Sequence, residues 1–471
     1  MAVAVLLGVL TFSGPAAADG NRSDVVRVSG PTPYPAGCDG QAPVGTLYTN
    51  AEVQPHIAAD PANPRHLVSV WQQDRWSGVG AHGLVTATSL DGGAHWTRAT
   101  PPVSRCAGGD YWRATDSMTS VSPDGSAYVV SLSMNATTAQ GDHAILVSKS
   151  GDGGLNWQPP TTLIREGADP STFIFNDLPS ITADPADARF VYASWDRIVD
   201  PPVSGALYLA RSTDHGTTWQ APKSVFDPGP DFVVEGSKIV VLPDGTLTAM
   251  FALGRFDPVT EVQTSVSYQV VRSTDKGATW STPVKIADGA AVGTKEPLSG
   301  ANFRDGANIE GQIAVGPNGK LFAVWQDSRF SGGVRDGIAL STSADAGRTW
   351  SAPTRVNADP TVQAFSPAVA VNTRGVVGVT YSALGKGSSA DYWIAQSADG
   401  GGHWAAGHVA GPFDLAVAPK VASPPNSLYL GDYHGMAAAG SRFVSAFPLT
   451  RDHAPDNLTD IFVSLTDGAR Y

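Results

Sequence analysis

Arginine and carboxylate side chains collect at two kinds of position in this sequence, where they could bind and cleave an acidic sugar. The first set lies at or just before one group of expected strands: Glu52, Gln54, His56, Arg113, Asp116, Asn176, Asp177, Glu235, Arg304, Asp305, Asn308, Glu310, Ser366, Asp432, Tyr433 and His434. The second set lies at the ends of the strands that follow: Asp74, Arg75, Asp196, Arg197, Arg255, Asp257, Asp327, Arg329, Arg451 and Asp452. Arg binds a planar carboxylate in bidentate fashion, and paired carboxyl groups perform acid–base chemistry on glycosidic bonds. For any single Asp–Arg pair, an ion pair between neighbouring units is the simpler interpretation, but the whole set predicts a ligand site.

The elements that position these side chains are marked by a string that occurs six times. Its pattern is Ser-x-Asp-x-Gly-x-(Thr/His/Asn)-Trp, and the copies lie 54 to 70 residues apart. They centre on Asp91, Asp152, Asp214, Asp275, Asp345 and Asp399. In each copy the Asp can accept backbone N–H bonds inside a hairpin turn, and the Gly supplies backbone freedom. Because the copies recur in separate units, we interpret the six Asp residues as structural and not as metal ligands.

Each unit also contains short β-branched and aromatic runs separated by turn residues, as in "QIAVGPNGKLFAVWQD". These runs predict four antiparallel strands per unit, and radial repetition of such units is an all-β β-propeller. First-and-second-strand pairs number seven, so we predict seven blades, with six as the alternative. The seventh unit lacks a fourth strand, and "SDVVRVSG" near the N-terminus could supply it and close the ring. The expected organisation is a signal peptide at 1–18, an arm at 19–48 and the propeller at 49–471.

Composition limits the classes of function. The chain of 471 residues has a formal charge of −12 and no run of basic residues, which argues against nucleic-acid binding. An apolar stretch followed by Ala16–Ala18 predicts export, and it is too short for a comfortable membrane span. We expect a secreted monomer. No zinc, phosphate-loop or EF-hand motif occurs, so no cofactor or metal is specified, although structural calcium at loop carboxylates stays open.

The two cysteines, Cys38 and Cys106, could form a disulfide in an exported protein, which would tie the N-terminal arm to the first loop between units. Two free, buried thiols are the alternative.

The six strings resemble the Asp-box, or bacterial neuraminidase repeat, of the sialidase superfamily. The segments "CAGGDYWRATDSMTSVSPDG", "FNDLPSITADP" and "LGDYHGMAA" resemble a group of secreted bacterial sialidase-like proteins. The resemblance implies a propeller over the whole mature chain. It is weakly specific for activity, because fold alone does not give function.

The segment "VVEGSKIVVLPDGTLTAMFALGR" is similar to a sialidase segment, and the resemblance implies roles for several residues. Glu235 would activate a nucleophilic tyrosine, for which Tyr433 is the candidate, and Asp116 would be the acid/base. Arg255 would bind the substrate carboxylate, with Arg113 and Arg304 completing an arginine cluster. The remaining candidates for substrate contacts are Asp177, Glu310 and His434. The Arg-Ile-Pro signature of sialidases is absent, and Glu52 stands where its Arg would be.

Three functions therefore stay open. The first is a sialidase-like exo-glycosidase acting on an acidic glycan or polysaccharide. The second is a noncatalytic propeller that binds a glycan or a protein on the same face. The third is a uronate lyase, in which His434 and Tyr433 would act with an Arg. Convergence of carboxylates with unpaired Arg in one pocket would favour catalysis over binding.

Overall fold

The computed structural model describes residues 23–40, 44–136, 141–167, 169, 171–451 and 457–469. The predicted signal peptide and Asp452 lie outside these residues. The strands in chain order are β1 Ser23–Arg27, β2 Leu47–Ala59, β3 Leu67–Trp76, β4 Ala81–Ser89, β5 Thr97–Ala99, β6 Arg113–Val121, β7 Ala127–Asn135, β8 Asp142–Ser150, β9 Thr161–Glu166, β10 Phe173–Ala183, β11 Val191–Asp200, β12 Ser204–Ser212, β13 Lys223–Phe226, β14 Phe232–Val241, β15 Leu247–Phe256, β16 Gln263–Ser273, β17 Val284–Asp288, β18 Thr294–Lys295, β19 Asn302–Arg304, β20 Gln312–Val315, β21 Leu321–Asp327, β22 Gly337–Ser343, β23 Thr354–Arg355, β24 Ala364–Val371, β25 Val377–Leu384, β26 Ser389–Ser397, β27 Ala405–Asp414, β28 Lys420–Val421, β29 Ser427–Tyr429, β30 Gly435–Ala439, β31 Arg442–Thr450 and β32 Thr459–Asp467. Short 3-10 turns span Arg105–Ala107, Arg329–Ser331 and Leu415–Val417.

The fold is all-β, as predicted. Most strands pair in antiparallel order within successive units: β2–β5, β6–β9, β10–β13, β14–β17, β20–β23 and β24–β27. A last unit contains β30–β32, and β1 pairs antiparallel with β32, so that Asp24 lies opposite Leu465. The first strand of each unit contacts the first strand of the next, in the order β2, β6, β10, β14, β20, β24 and β30, and β30 contacts β2.

The apolar core lies between the faces of neighbouring units, because side chains alternate across each strand. Trp71, Trp195 and Trp325 occupy second strands and are fully buried. Between the fifth and sixth units, Leu340 packs in the same cluster as Val379. The sheets of the two adjacent units therefore cover both faces of each sheet, so that its apolar side chains are buried on both faces.

The repeated string forms the turn between the third and fourth strand of its unit, as predicted. In the fourth unit, the Ser273 hydroxyl donates to Asp275 at 2.7 Å and accepts from Gly277 N at 2.8 Å. The carboxylate of Asp275 also accepts from the backbone N and the hydroxyl of Thr279, at 2.9 and 2.7 Å. The other five copies repeat this arrangement with His, Asn or Thr in the last position. These hydrogen bonds give the carboxylates a structural role.

Two loops between units combine into a small separate sheet, which we call the insert sheet. It consists of β18 and β19, from the connection between the fourth and fifth units, and β28 and β29, from the connection between the sixth and seventh. Strands β19 and β29 pair in parallel, with Phe303 opposite Leu428 and Arg304 opposite Tyr429. Arg304 and Tyr429, which lie more than 120 positions apart in the sequence, are thereby held side by side. Both belong to the site described below.

Cys38 and Cys106 form a disulfide, as predicted, across a sequence separation of 68 residues. The bond fastens the segment before β2 to the 3-10 turn after β5. Within the described residues, no helix has the length and apolar character needed to cross a bilayer.

Candidate active site

A repeated β-bulge shapes the start of five first strands. The pairing register shifts at Gln54, Asp116, Leu178, Gly236 and Ser366, and each of these residues has a positive φ between 45° and 66°. A bulge places two residues opposite one and re-aims the neighbouring side chains. A left-handed backbone is uncommon for the four residues that are not Gly, and such strain clusters at functional sites. The bulges therefore direct Gln54, Asp116, Asp177 and Glu235 away from the regular alternation of their strands.

A polar cavity of about 280 Å³ lies at these bulges, and we call it the carboxylate cavity. It receives Asp116 from β6, Asp177 from β10 and Arg75 from β3. The insert sheet contributes Arg304 and Tyr429. The volume lies near the lower end of the range for ligand pockets, about 300 Å³, and suits a single sugar residue.

Tyr429 lies at the centre of a hydrogen-bond network in this cavity. Its hydroxyl donates to Gln54 Oε1 at 2.7 Å and lies 3.0 Å from Asp432 Oδ2. The guanidinium groups of Arg75 and Arg304 lie 5.1 and 5.5 Å from the centre of its ring, within the range of cation–π contacts. Burial raises the pKa of Tyr429 well above its ordinary value, and the charge of Asp432 adds to this effect. The phenol is therefore neutral in this state.

The two arginines differ in how much of their hydrogen-bonding capacity is used. Arg304 Nε lies 2.7 Å from Asp432 Oδ1, and its side chain is 33% exposed. No described residue binds its two terminal nitrogens. Arg75 is buried, bonds the backbone carbonyl of Gly80, and forms no ion pair within the described part of the chain. The pKa of Arg304 is raised, chiefly by Asp432, so the guanidinium is protonated and its charge is paired with that carboxylate.

The two carboxyl groups of the cavity have different surroundings. Burial raises the pKa of Asp116, with Asp432 acting in the same direction, but Arg304, Arg75 and a 2.9 Å hydrogen bond from Gln54 Nε2 oppose the rise. Burial raises the pKa of Asp177 well above its ordinary value, and the charge of Asp116 raises it further. The charge of Arg304 and a 2.9 Å hydrogen bond from the backbone N of Leu178 oppose the rise at Asp177. Both pKa values are thus raised, and the stronger rise at Asp177 favours this carboxyl as the one that holds a proton.

A second charged cluster lies beside the cavity without lining it. Lys238 Nζ lies 3.2 Å from Glu310 Oε2, and the ammonium lies 5.1 Å from the centre of the Tyr433 ring. Burial raises the pKa values of Glu235 and Glu310 to about 7, and Glu310 raises that of Glu235. Asp196 is fully buried, and its Oδ1 has no hydrogen-bond partner. We call Lys238, Glu235, Glu310 and Asp196 the buried charge cluster.

The structure separates several residues that the sequence analysis grouped. Arg113 is buried behind the cavity wall, where its guanidinium lies 4.4 Å from the centre of the Trp76 ring and donates to the backbone carbonyl of Val79, a lining residue. Arg255 is exposed and lies over Phe232 at 5.9 Å. Neither lines the carboxylate cavity, so the expected cluster of Arg113, Arg255 and Arg304 is not assembled there. Arg75 is the second cation instead.

Tyr433 and His434 also lie outside the lining of the cavity. The Tyr433 hydroxyl donates to the backbone carbonyl of Ser117 at 2.9 Å, and burial raises its pKa well above the ordinary value. His434 is buried with its ring 6.0 Å from that of Tyr392, and burial lowers its pKa to about 3. In this state, Tyr433 is engaged by backbone and His434 is a neutral ring without a hydrogen-bond partner.

Sequence reasoning missed Tyr429 and assigned Arg75 no role. Tyr429 lies in "LYLGDYHG", four residues before the tyrosine that the resemblance favoured. A signal for the bulges was present, since Pro or Ser follows the left-handed residue in every case: Pro55, Ser117, Pro179, Ser237 and Pro367. The recurrence of Pro or Ser in the middle of a first strand could have located the inward-turned positions.

Comparison with known families gives a match to part of the chain. Residues 269–431 match the family model described as a BNR repeat-like domain, and this segment contains the strings at Asp275, Asp345 and Asp399. The match thus covers three of the six strings. No curated protein matches the sequence significantly.

Solved structures with similar folds have low sequence identity. A protein of unknown function from Dyadobacter fermentans is 14% identical, with 96% of this chain and 100% of that chain covered and a TM-score of 0.49. The Hadza microbial sialidase Hz136 is 18% identical, with coverages of 86% and 74% and a TM-score of 0.47. The α-L-arabinanase of Penicillium chrysogenum is 16% identical, with coverages of 78% and 96% and a TM-score of 0.46. Because these TM-scores are below 0.5, no functional inference rests on them.

Proposed function

We propose that the protein is a glycoside hydrolase that acts on an acidic glycan and that the carboxylate cavity is its active site. The observation that carries the proposal is the meeting of a partly exposed Arg304, whose terminal nitrogens bond no described residue, with two carboxyl groups whose pKa values are both raised. An acidic sugar needs a cation for its carboxylate, and hydrolysis needs one proton donor and one ionised carboxylate.

In this proposal, Asp177 is the general acid that protonates the leaving oxygen. Its carboxyl holds a proton because it is desolvated and faces Asp116. Asp116 is the ionised partner, held in place by Gln54. Arg304 binds the sugar carboxylate, and Arg75 adds a second positive charge to the lining of the cavity. Tyr429 keeps the two cations apart and orients Asp432, so we assign it a positioning role in this state.

We also infer that the units form a seven-bladed propeller closed by the N-terminal strand. The consecutive contacts between first strands, which return from β30 to β2, support this architecture. The pairing of β1 with β32 supplies the seventh unit with a fourth strand. Closure in this way covers a strand edge that would otherwise be open to other chains. Export of the protein remains a proposal based on the N-terminal sequence.

The test of the activity compares substrates that differ in the quality of their leaving group. The purified protein is incubated with sialyllactose, with uronate oligosaccharides and with aryl glycosides of the same acidic sugars. We expect Asp177→Asn to lower kcat on the natural linkages by about 10²-fold or more, and to have much less effect on aryl glycosides, whose leaving groups need no proton. The exposed Asp288, changed to Asn, is the matched control.

Each contrary outcome has a defined meaning. An equal loss on both kinds of substrate would remove Asp177 from the role of general acid. A product that absorbs as an unsaturated uronate would identify a lyase. Binding of the acidic sugar without any product, abolished by Arg304→Gln, would favour a noncatalytic propeller.

A further inference from the structure

A second cavity of about 370 Å³ adjoins the carboxylate cavity, and we call it the sheet cavity because the insert sheet forms one side of it. The two cavities share Arg304 and Ser423 in their lining. The two cavities therefore meet at these two residues. The guanidinium of Arg304 is anchored at Nε by Asp432, and no described residue bonds its terminal nitrogens.

The lining of the sheet cavity suits a sugar residue. Thr294, Asn302 and Ser427 provide small polar side chains, and a Cβ at Gly293 would meet no atom within 4 Å, so the space beside it is open. A Cβ at Gly306 would meet the carbonyl oxygen of Asp432 at 2.2 Å, so this close approach of two backbones requires glycine. Such a mixture of backbone and short polar groups is typical of sites that orient a ligand by hydrogen bonds.

The charge at the rim points to an anionic ligand. Lys295 is exposed at the edge of the sheet cavity and forms no ion pair within the described part of the chain. Asp305, the carboxylate in the lining, is buried and accepts hydrogen bonds from Thr294 N at 3.0 Å and Gln326 Nε2 at 2.7 Å. Its charge is thus engaged inside the protein, whereas that of Lys295 is available to a ligand.

We propose that the two cavities form one site for two consecutive acidic sugar residues, with Arg304 at the bond between them and Lys295 on the anionic group of the second residue. This inference rests on the proposed function and adds the length and charge of the substrate. The sheet cavity then holds the residue on the far side of the cleaved linkage. A protein with this site acts best on a polymer in which acidic sugars adjoin one another.

The experiment measures binding to a variant that cannot turn over, Asp177→Asn. Its ligands are digalacturonic acid and α2,8-linked disialic acid, each compared with its monosaccharide by calorimetry. Val292 lines the sheet cavity and is 49% exposed, so Val292→Trp fills the cavity at little risk to the core. Leu298 is 77% exposed on the same insert and does not line the cavity, so Leu298→Trp is the matched control.

We expect a disaccharide to bind at least tenfold more tightly than its monosaccharide. Val292→Trp should remove that advantage and leave monosaccharide affinity within twofold, whereas Leu298→Trp should change neither. Lys295→Gln should weaken disaccharide binding about threefold or more, and this loss should disappear at high salt because the contact is a solvent-exposed charge.

The two proposals fail in different ways. If no monosaccharide or disaccharide binds, the proposed function and this inference are both overturned. If the monosaccharide binds and the disaccharide gains nothing from its second residue, or if Val292→Trp has no selective effect, only the two-residue site is overturned. Thermal unfolding of each variant shows whether a loss of binding is a loss of fold.

Discussion

Removal of the Lys238 ammonium tests the electrostatics of the buried charge cluster directly. Lys238 and Glu310 are both nearly buried, with side-chain exposures of 10% and 4%, and their charged atoms lie 3.2 Å apart. Replacement of one member of a buried pair leaves an uncompensated charge and typically costs about 3–5 kcal/mol. We therefore expect Lys238→Met to lower the free energy of unfolding at pH 8 by at most about that amount, because loss of the ammonium raises the pKa of Glu310 further and uptake of a proton relieves part of the cost.

The effect should depend on pH in a defined direction. Burial raises the pKa of Glu310 to about 7, so the native state binds this proton more tightly than the unfolded state does. The raised pKa costs about 3 kcal/mol of stability when the carboxyl is ionised, a cost that is absent below about pH 4.5 and complete above pH 7. At pH 5.5 Glu310 is mostly protonated in the native state, and the cost of Lys238→Met should shrink to about 1 kcal/mol.

The double variant Lys238→Met/Glu310→Gln provides the control. It removes both charges, so we expect it to be more stable than Lys238→Met at pH 8 and to show little change between pH 5.5 and pH 8 from this pair. Urea unfolding of the wild type, Lys238→Met, Glu310→Gln and the double variant at both pH values gives a complete double-mutant cycle at each pH. A cost of Lys238→Met that is the same at both pH values, or a double variant no more stable than the single one, would refute the assigned pairing.

Three further changes test other parts of the structure by urea unfolding. Ser273→Ala leaves Gly277 N without an acceptor and should cost about 1–3 kcal/mol, whereas Thr274→Ala in the same turn should cost much less. Replacement of Cys38 and Cys106 by Ser should lower stability by about 2–4 kcal/mol, because the disulfide closes a loop of 68 residues; an unchanged midpoint would contradict this. Tyr429→Phe should cost about 0.5–1.5 kcal/mol, since it removes one hydrogen bond to Gln54 Oε1, which keeps Gln72 Nε2 as a donor; a stability equal to that of the wild type would exclude the network as described.

The sequence predicted the parts of the fold that are local. The string around Asp275 defines its turn through bonds spanning only a few residues, so the pattern alone sufficed to place it between a third and a fourth strand. The β1 strand was also predicted, because the seventh unit visibly lacked a partner for β32. The turn could be predicted because its pattern lies within a short stretch of sequence. The pairing of β1 could be predicted because a count of strands showed that the last unit was one strand short.

The site was only partly predictable, because it depends on pairing between distant segments. Asp116 and Asp177 were placed correctly at the starts of first strands, but the approach of Tyr429 to Arg304 depends on the parallel pairing of β19 with β29. No spacing in the sequence specifies that contact. The resemblance favoured Arg113, whose environment is set by Trp76 on a neighbouring strand. Which arginine reaches the cavity is thus decided by packing.

The repeated bulge separates the left-handed positions of the first strands from the pairing of those strands. At each bulge two residues leave the ladder and the pairing resumes after them, so their backbone groups take no part in the ladder. The left-handed residues are glutamine, aspartate, leucine, glycine and serine. A point substitution at such a position can therefore change the side chains near the carboxylate cavity without breaking strand pairing, provided that the new residue adopts a left-handed backbone.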